Sequence, residues 1–452
     1  MRSHGGSAAT SGAWRNWAGN VSASPRRQAS PASTAEVAAE VSRAAADGLT
    51  LRMTGSGHSF TPTAVSHGVL LRPDRLTAIR SIDHAAGTVT AEAGCPLHVL
   101  NAALLARGLS LANMGDIQVQ TVAGAIQTGT HGTGRDVGGM AAQVAGLELV
   151  LADGRIVTCS AESPGGGVTG ADGGEINLFD AARIGLGALG VVSAVTFKVV
   201  PAFLLQAREE PMTWSQVISR LDELCADNEH FEFYWFPHSE GCLTKRNNRA
   251  DGPASPLPRW RYLLDDEFLS NSVFGAMSWL GHRVPAVIPA FNSAAARALG
   301  ARTYTDAAYR VFTSPRRVRF KEQEYAIPRA ALSDVLAEIR SLFQRRDWRI
   351  SFPIEVRVTP PDEVWLSTAH GRDSAYIAIH VFRSAPHEGY FRDVEALMTG
   401  VGGRPHWGKM HTRDAHYLAD AYPRMSDFIA IRDLLDPERR FGNEYLRQVL
   451  GS

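Results

Sequence analysis

The pattern of apolar residues changes near Pro201, and this change constrains the fold more than any other feature of the sequence. Before it, helical and strand patterns alternate. From about 202 to 400, the β-rich segments FEFYWFP, EQEYAIP, FPIEVRVT and AYIAIHVF accompany helical patterns at WSQVISRLDELCAD and RAALSDVLAEIRSLFQRR. The chain has 452 residues, more than one hydrophobic core usually supports. We therefore predict an α+β protein in which a first domain over 14–201 precedes an antiparallel sheet with helices on one face.

Local signals mark several elements of the first domain. Ser33 or Thr34 caps a helix that Gly48 ends, and a second helix follows over 97–108. Asp153 and Gly154 predict the turn of a β-hairpin. The glycine-rich run over 164–174 predicts a surface loop, residues 1–13 predict a flexible leader, and the pattern over 253–300 indicates no definite element.

Charge and cysteine content exclude several classes of protein. Lys plus Arg (46) equals Asp plus Glu (46), so no net field attracts nucleic acid. Four widely spaced cysteines, Cys95, Cys159, Cys225 and Cys242, are expected to be free thiols in a reducing compartment. The sequence begins without a signal-peptide pattern and contains no apolar run of roughly 18 residues. We expect a cytoplasmic protein and leave peripheral membrane contact open.

The stretch GLGALG, Gly185 to Gly190, matches the dinucleotide-binding motif G-x-G-x-x-G. That motif binds pyrophosphate only when a strand precedes it and a helix follows. Here a helical pattern, LFDAARI, precedes it and the strand pattern VVSAVTFKVV follows. The reversed order argues against a Rossmann site.

A second glycine-rich stretch, GTHGTG, covers Gly129 to Gly134. No Gly-Lys-Ser/Thr follows it, so it is not a P-loop. Glycine at this density allows a backbone to approach a planar or phosphorylated ligand closely. An ordinary connection between strands explains the same residues equally well.

Two charged segments could contribute chemistry. In FPIEVRVT, strand alternation places Glu355 and Arg357 on one face, which either is solvated or lines a pocket. A pocket would pair a carboxylate for proton handling with a permanent cation. In GRPHWGKMHTRDAHY, histidines spaced five apart do not share a helix face, so we predict no metal site. Lys409 is the better candidate there, with a surface loop as its alternative.

These segments follow one another in an informative order. TGSGHSF, GDIQVQTVAGAIQTGTHGTG, LGALGVVSAVTFKVVP, FPIEVRVT and RPHWGKMH together resemble the aldonolactone oxidoreductases, with the alditol oxidases nearby, in the vanillyl-alcohol oxidase class of flavoproteins. The resemblance runs from about Trp14 to the C-terminal end. Relative to this family, residues 164–174 resemble an insertion and the first dozen residues resemble an extension.

The resemblance implies a fold and a cofactor. It implies a two-subdomain FAD-binding domain of the vanillyl-alcohol oxidase (PCMH) type over 14–201, a cap domain over 202–404, and a C-terminal segment over 405–452 that returns to the flavin. In many relatives the histidine of G-x-G-H-S is bonded to the 8α-methyl group of FAD, so His58 is either the covalent attachment point or a noncovalent contact. The cofactor-binding residues implied are Thr54, Gly55, Ser56, Gly57, His58, Ser59, Gly115, Asp116, Thr121, Gly124, Thr128, Gly129, His131, Gly132, Thr133, Gly134, Gly190 and Val192.

The resemblance also implies a reaction. Glu355 would hydrogen-bond the substrate hydroxyl and help its proton leave as hydride passes to flavin N5. Arg357 and Lys409 would stabilise negative charge on the reduced flavin and orient the substrate. His380 is a weaker candidate for the same pocket. The implied substrate is an aldono-1,4-lactone of the L-gulono or D-arabinono type, oxidised at C2 to give ascorbate or an analogue, with oxygen or another electron acceptor. The alternatives are an alditol oxidase acting on an open-chain polyol, a flavin-binding protein without turnover, and a pyridine-nucleotide dehydrogenase.

Overall fold

A computed structural model describes residues 12–170 and 173–452. The predicted leader over 1–13 lies almost wholly outside them, as do two residues of the predicted loop over 164–174. The predicted α+β class is confirmed.

The first half contains strands β1 (Trp14–Arg15), β2 (Ser22–Ala23), β3 (Arg27–Ala29), β4 (Leu51–Met53), β5 (Val69–Leu71), β6 (Ile79–Asp83), β7 (Thr88–Glu92), β8 (Leu109–Ser110), β9 (Val144–Val150), β10 (Ile156–Ser160), β11 (Val191–Lys198) and β12 (Val200–Pro201). Its helices are α1 (Thr34–Ala46), α2 (Leu97–Leu105), α3 (Val122–Gln127) and α4 (Leu178–Arg183).

The first layer is a three-stranded parallel sheet in the order β3, β5, β4, which packs against α1. The Ser33 hydroxyl accepts a hydrogen bond from the backbone N–H of Glu36 and so caps α1. Val37, Val41 and Ala44 form its buried stripe. The predicted helix is confirmed.

The second layer is a five-stranded antiparallel sheet in the order β10, β9, β11, β7, β6. Strands β9 and β10 form the predicted hairpin, and Gly154 takes a φ of +84° in its turn. Helix α4 precedes the GLGALG stretch and β11 follows it. This order confirms that the stretch is not a Rossmann motif.

The second half contains an eight-stranded sheet in the order β16, β13, β15, β14, β18, β19, β17, β20. Its strands are β13 (Leu204–Thr213), β14 (His230–Trp235), β15 (Gly241–Ala250), β16 (Arg302–Ala307), β17 (Phe320–Pro328), β18 (Ile354–Thr359), β19 (Ser374–Phe382) and β20 (Arg404–Pro405). The helices are α5 (Trp214–Ser219), α6 (Leu221–Ala226), α7 (Arg259–Tyr262), α8 (Phe274–Arg283), α9 (Ile288–Ala298), α10 (Ala308–Phe312), α11 (Leu332–Arg346), α12 (Glu388–Gly400), α13 (Ala415–Ala421), α14 (Met425–Leu435) and α15 (Glu444–Leu450).

One face of this sheet is apolar and packs against helices. Ile354, Val356 and Val358 of β18 share a buried cluster with residues of α6, α11 and α12. The predicted antiparallel sheet with helices on one face is therefore confirmed. The alternating residues of β18, Glu355 and Arg357, face the opposite side.

Two helical segments differ from the sequence prediction. The pattern over 214–226 forms two short helices rather than one, because the chain leaves helical geometry at Arg220 (φ −116°). The segment that sequence did not place contains α7, a π-helical stretch (Leu263–Val273), α8 and α9.

The core of the first half includes residues from well beyond 201. Leu205 and Ala207 of β13 belong to it, as do Trp407 and buried side chains of α13, α14 and α15. The C-terminal segment is thus an integral part of the first core. The division of the chain at 201 and 404 stays a prediction.

The four cysteines are free, as predicted, and the structure buries all of them. None of the helices in the described ranges combines the length and the hydrophobicity that crossing a bilayer requires.

Candidate active site

A cleft of about 890 Å³, counted with its open mouth, lies between the parallel sheet and the loop after α4. We call it the N-terminal cleft. Eleven of the predicted cofactor residues line it: Thr54, Gly55, Ser56, Gly57, His58, Ser59, Thr121, Gly124, Thr128, Gly190 and Val192.

The loop from Gly55 to Ser59 forms one wall of the N-terminal cleft. Thr54 N–H donates to Leu71 and Phe60 N–H donates to Gly408, which fixes both ends of the loop. In the described residues, the five backbone N–H groups between them have no protein acceptor. Successive backbone N–H groups that lack an acceptor beside a cleft favour the binding of an anionic ligand such as a pyrophosphate. Gly57 allows the turn, since its φ is +74°.

The opposite wall approaches this loop closely at Gly55. A Cβ atom on Gly55 would lie 2.5 Å from Thr121 Oγ1. If the Thr121 side chain turned away, α3 would lose its N-terminal cap, because the same oxygen accepts the Gly124 N–H. Only glycine at position 55 keeps the two walls at this distance.

Arg52 supports the floor of the N-terminal cleft and was missed by sequence analysis. Its guanidinium is buried and donates to the carbonyl oxygens of Thr63, Gly187 and Phe441 at 2.6 to 2.9 Å. Burial lowers its pKa to about 10. The sequence feature that could have indicated this role is an arginine within the otherwise largely apolar strand pattern LTLRM.

His58 stands where the cleft meets the charged residues of the second half. Its ring stacks on Trp17 at a centroid distance of 5.1 Å. Burial, followed by the charge of Lys409, lowers its pKa to about 4. Within the described chain, neither ring nitrogen has a protein hydrogen-bond partner. His58 therefore presents a neutral imidazole that is free to bond a ligand.

The remaining predicted cofactor residues do not line this cleft. They are Gly115, Asp116, Gly129, His131, Gly132, Thr133 and Gly134. His131 Nε2 is 3.2 Å from Glu324, and its ring stacks on Tyr376. Thr133 Oγ1 is 3.0 Å from the carbonyl oxygen of Val358. The GTHGTG segment thus packs on the sheet.

The face of the sheet opposite the helices carries a row of titratable side chains, which we call the polar face. The strand register pairs Tyr234 with Glu355, and Glu232 with Arg357. The register of β17 and β19 adds the pair Glu322 and His380. The polar face comprises Glu232, Tyr234, Glu322, Glu324, Glu355, Arg357 and His380. Sequence analysis missed Tyr234 and the three additional glutamates, although the alternating EQE of β17 was a signal.

Glu355 and Arg357 are 5% and 7% exposed, so the solvated-face alternative is wrong. Their side chains form an ion pair. The Tyr234 hydroxyl lies 3.0 Å from Glu355, and Arg357 Nε donates to Glu232 at 2.8 Å. Asp116 lies 3.9 Å from Arg357, which brings one predicted cofactor residue to the polar face.

The pKa values of the carboxyl groups on and beside the polar face are shifted in opposite directions. Burial raises the pKa of Glu355 despite its pairing with Arg357. Burial alone would also raise the pKa of Asp116 and Glu232, but neighbouring cations outweigh it and lower both. Glu322 and Glu324 likewise have lowered pKa values, because Lys409 and nearby histidines outweigh their burial.

Lys409 lies on the segment after β20 and points to the polar face. Its ammonium pairs with Glu322, is 3.8 Å from Glu324, and sits 5.4 Å from the centre of the Phe60 ring. Burial alone would lower the pKa of Lys409, but the two glutamates raise it. The surface-loop alternative is therefore wrong.

Three buried residues, His131, Glu324 and His406, bring ligand atoms within 4.8 Å of one another. One hydrogen bond argues against a metal. His406 Nδ1 accepts the Gly408 N–H, so the other ring nitrogen of His406 carries its hydrogen and offers no lone pair to a metal. The ammonium of Lys409 already supplies positive charge beside Glu324.

Family models and relatives that match this chain together cover most of its length. Residues 195–449 match the family model described as D-arabinono-1,4-lactone oxidase, and residues 25–160 match the model described as FAD binding domain. The L-gulono-1,4-lactone dehydrogenase of Mycobacterium tuberculosis is 40% identical over 97% of this chain and 99% of its own length. The alditol oxidase of a Streptomyces species is 31% identical, over 96% of this chain and 98% of its own. A cholesterol oxidase from B. sterolicum has the same fold, with a TM-score of 0.82 at 18% identity, over 98% of this chain and 97% of its own.

Gly55→Ala tests whether the N-terminal cleft holds FAD. The added Cβ would push the loop away from Thr121, and a cost of about 1.4 kcal/mol would weaken binding about tenfold. We expect the purified variant to contain much less flavin than wild type, measured by absorbance per mole of protein. Gly400→Ala is the control, because nothing lies within 4 Å of its Cβ position. Equal flavin content in both variants would remove this loop from the cofactor site.

Proposed function

The chain belongs to the D-arabinono-1,4-lactone oxidase family and carries an FAD-binding domain, and from this premise we propose that it oxidises the C2 hydroxyl of an aldono-1,4-lactone. The lactone is of the L-gulono or D-arabinono type, and its C2 ketone gives ascorbate or an analogue. The observation that carries the proposal is the buried pair of Glu355 and Arg357, set beside Lys409 where the polar face meets the cofactor cleft.

The residues of the N-terminal cleft fit FAD. The free amides from Gly55 to Ser59 suit the pyrophosphate, and the close approach at Gly55 leaves no room for a larger residue. When bound, FAD supplies the acceptor for the two electrons and the hydrogen that leave the substrate carbon. His58 has a neutral ring with unpartnered nitrogens, which suits it for a covalent bond to the flavin.

Glu355 accepts the proton of the substrate hydroxyl. Among the carboxyl groups of Asp116, Glu232, Glu322, Glu324 and Glu355, only that of Glu355 has a raised pKa. A general base works best when its pKa approaches the working pH, so burial favours Glu355 over its neighbours. Arg357 holds the Glu355 carboxylate in place.

Arg357 and Lys409 provide fixed positive charge. Arg357 is held by Glu232 and Glu355, and Lys409 by Glu322, so neither cation must reorganise during the reaction. Preorganised charges of this kind stabilise negative charge that develops in the transition state. They also orient the hydroxyl groups of a bound sugar.

The alternative substrate is an open-chain polyol. The 31% identity to an alditol oxidase supports it, whereas the 40% identity to a gulonolactone dehydrogenase favours the lactone. Flavin reduction by xylitol or sorbitol, without reduction by a lactone, would decide for the polyol. The electrons pass from the flavin to oxygen or to another acceptor.

Glu355→Gln tests the proposed base. It removes the proton acceptor but keeps the size of the side chain, so we expect flavin reduction by substrate to slow by about 10²- to 10⁴-fold with FAD still bound. In wild type the rate should fall as pH drops through a pKa above the ordinary 4.5, because a protonated Glu355 cannot accept a proton. Stopped-flow absorbance measures both effects. Glu338→Gln, in an exposed part of α11, is the control, and a near-normal rate for Glu355→Gln would exclude this role.

A covalent flavin at His58 makes a separate prediction. After acid precipitation, the yellow colour should stay with wild-type protein and move to the supernatant for His58→Ala. The exposed His84 supplies the control variant, His84→Ala, which should keep its flavin in the pellet. Release of flavin from wild type would leave His58 as a noncovalent contact.

A further inference from the structure

A short segment between α10 and β17 comes close to the buried ion pair of Glu355 and Arg357. We call this segment, residues 313–319, the strap. Its Arg316 donates through Nε and Nη2 to one carboxylate oxygen, Oδ2, of Asp116, at 3.1 and 2.7 Å. The same oxygen lies 3.9 Å from Nη2 of Arg357. Asp116 therefore bridges the strap and the buried pair.

Backbone contacts hold the strap on both sides of Arg316. Before it, the Ser314 N–H donates to the carbonyl oxygen of Asp116 at 2.9 Å. After it, the Arg317 N–H donates to the side-chain oxygen of Asn271 at 2.8 Å. The Arg316 guanidinium is thus fixed near the site before any ligand arrives, which lowers the entropy that binding through it would cost.

Side-chain exposure rises from the buried pair toward the strap. The side chain of Arg357 is 9% exposed, that of Asp116 26% and that of Arg316 36%. An ion pair with partners this exposed adds little to the stability of a fold. Within the described residues, Nη1 of Arg316 has no protein acceptor. Arg316 therefore offers an unoccupied N–H donor on the solvent side of the buried pair.

We propose, building on the function proposed above, that Arg316 positions the substrate by donating from Nη1 to the exocyclic hydroxyl groups of the lactone. The C2 hydroxyl of the lactone has to meet Glu355 at the buried end of the site. The exocyclic carbon atoms are attached at C4, across the ring from C2, so they extend toward the strap. A guanidinium donates strong, charge-assisted hydrogen bonds to oxygen acceptors. Arg316 thus determines the affinity for lactones that carry an exocyclic hydroxyl group.

The test uses the flavin-loaded protein and stopped-flow reduction by L-gulono-1,4-lactone, which gives a dissociation constant and a limiting rate separately. Arg316→Gln should raise the dissociation constant about 10- to 100-fold and change the limiting rate by less than about threefold, because a charged donor to the substrate is lost. Arg316→Lys should recover part of the affinity, since an ammonium also donates to hydroxyl oxygens.

The matched control is Arg319→Gln. Arg319 is an exposed residue of the same strap and forms no ion pair in the described ranges, so this variant removes the same charge without touching the site. It should leave the dissociation constant and the limiting rate unchanged. Flavin content should be equal in wild type and all three variants, which shows that each variant folds and binds its cofactor.

A smaller lactone separates direct binding from a structural role. L-Erythrono-1,4-lactone keeps the C2 and C3 hydroxyl groups of L-gulono-1,4-lactone but has no exocyclic carbon. Its dissociation constant, measured by competition with L-gulono-1,4-lactone, should differ by less than about threefold between wild type and Arg316→Gln.

Three results would overturn the proposal. They are an unchanged dissociation constant for L-gulono-1,4-lactone in Arg316→Gln, an equal loss of affinity for both lactones, and a slower limiting rate with unchanged affinity. The last two would show that Arg316 acts only through Asp116 and the shape of the site. If lactone fails to reduce the flavin of wild type, the proposed function fails as well, whereas a reduced wild type with an unaffected variant removes this inference alone.

Discussion

The buried ion pair of Glu355 and Arg357 is the interaction on which the site depends. Removing two charges from water is costly unless each finds further partners, and here Glu232, Tyr234 and Asp116 provide them. Such a network needs a dry surface on which strands align polar side chains in register. The eight-stranded sheet meets this need, because helices cover its apolar face and the first half of the chain covers its polar face.

The same arrangement joins the cofactor loop to Lys409, the cation that we propose takes part in catalysis. Phe60 N–H donates to the Gly408 carbonyl oxygen at 2.7 Å, and the Thr61 hydroxyl donates to that of Trp407 at 2.9 Å. Trp407 is fully buried in the first core. The loop that ends the cleft is therefore bonded directly to the segment that carries Lys409. This contact explains how residues some 350 positions apart can act on one bound flavin and substrate.

Sequence analysis identified features that depend on local pattern. The caps of α1, the β9–β10 hairpin, the alternation of β18 and the reversed order around GLGALG are all local. It missed Glu232, Glu322, Glu324 and Arg52, because their roles come from the register of distant strands and from carbonyl groups far along the chain. The helices over 259–298 were not placed, because several of their large apolar side chains, such as Trp260 and Trp279, are exposed and blur the amphipathic pattern. His131 and Thr133, predicted near the cofactor, pack on the sheet, and their role there stays a prediction.

The central claim is that the buried carboxylate of Glu355 and its neighbouring cations act on a sugar lactone bound beside a flavin. The most direct test is to mix the purified yellow protein anaerobically with L-gulono-1,4-lactone or D-arabinono-1,4-lactone and to record the flavin absorbance. At least one lactone should bleach the flavin. A flavin that stays oxidised with both lactones at saturating concentration would exclude this reaction.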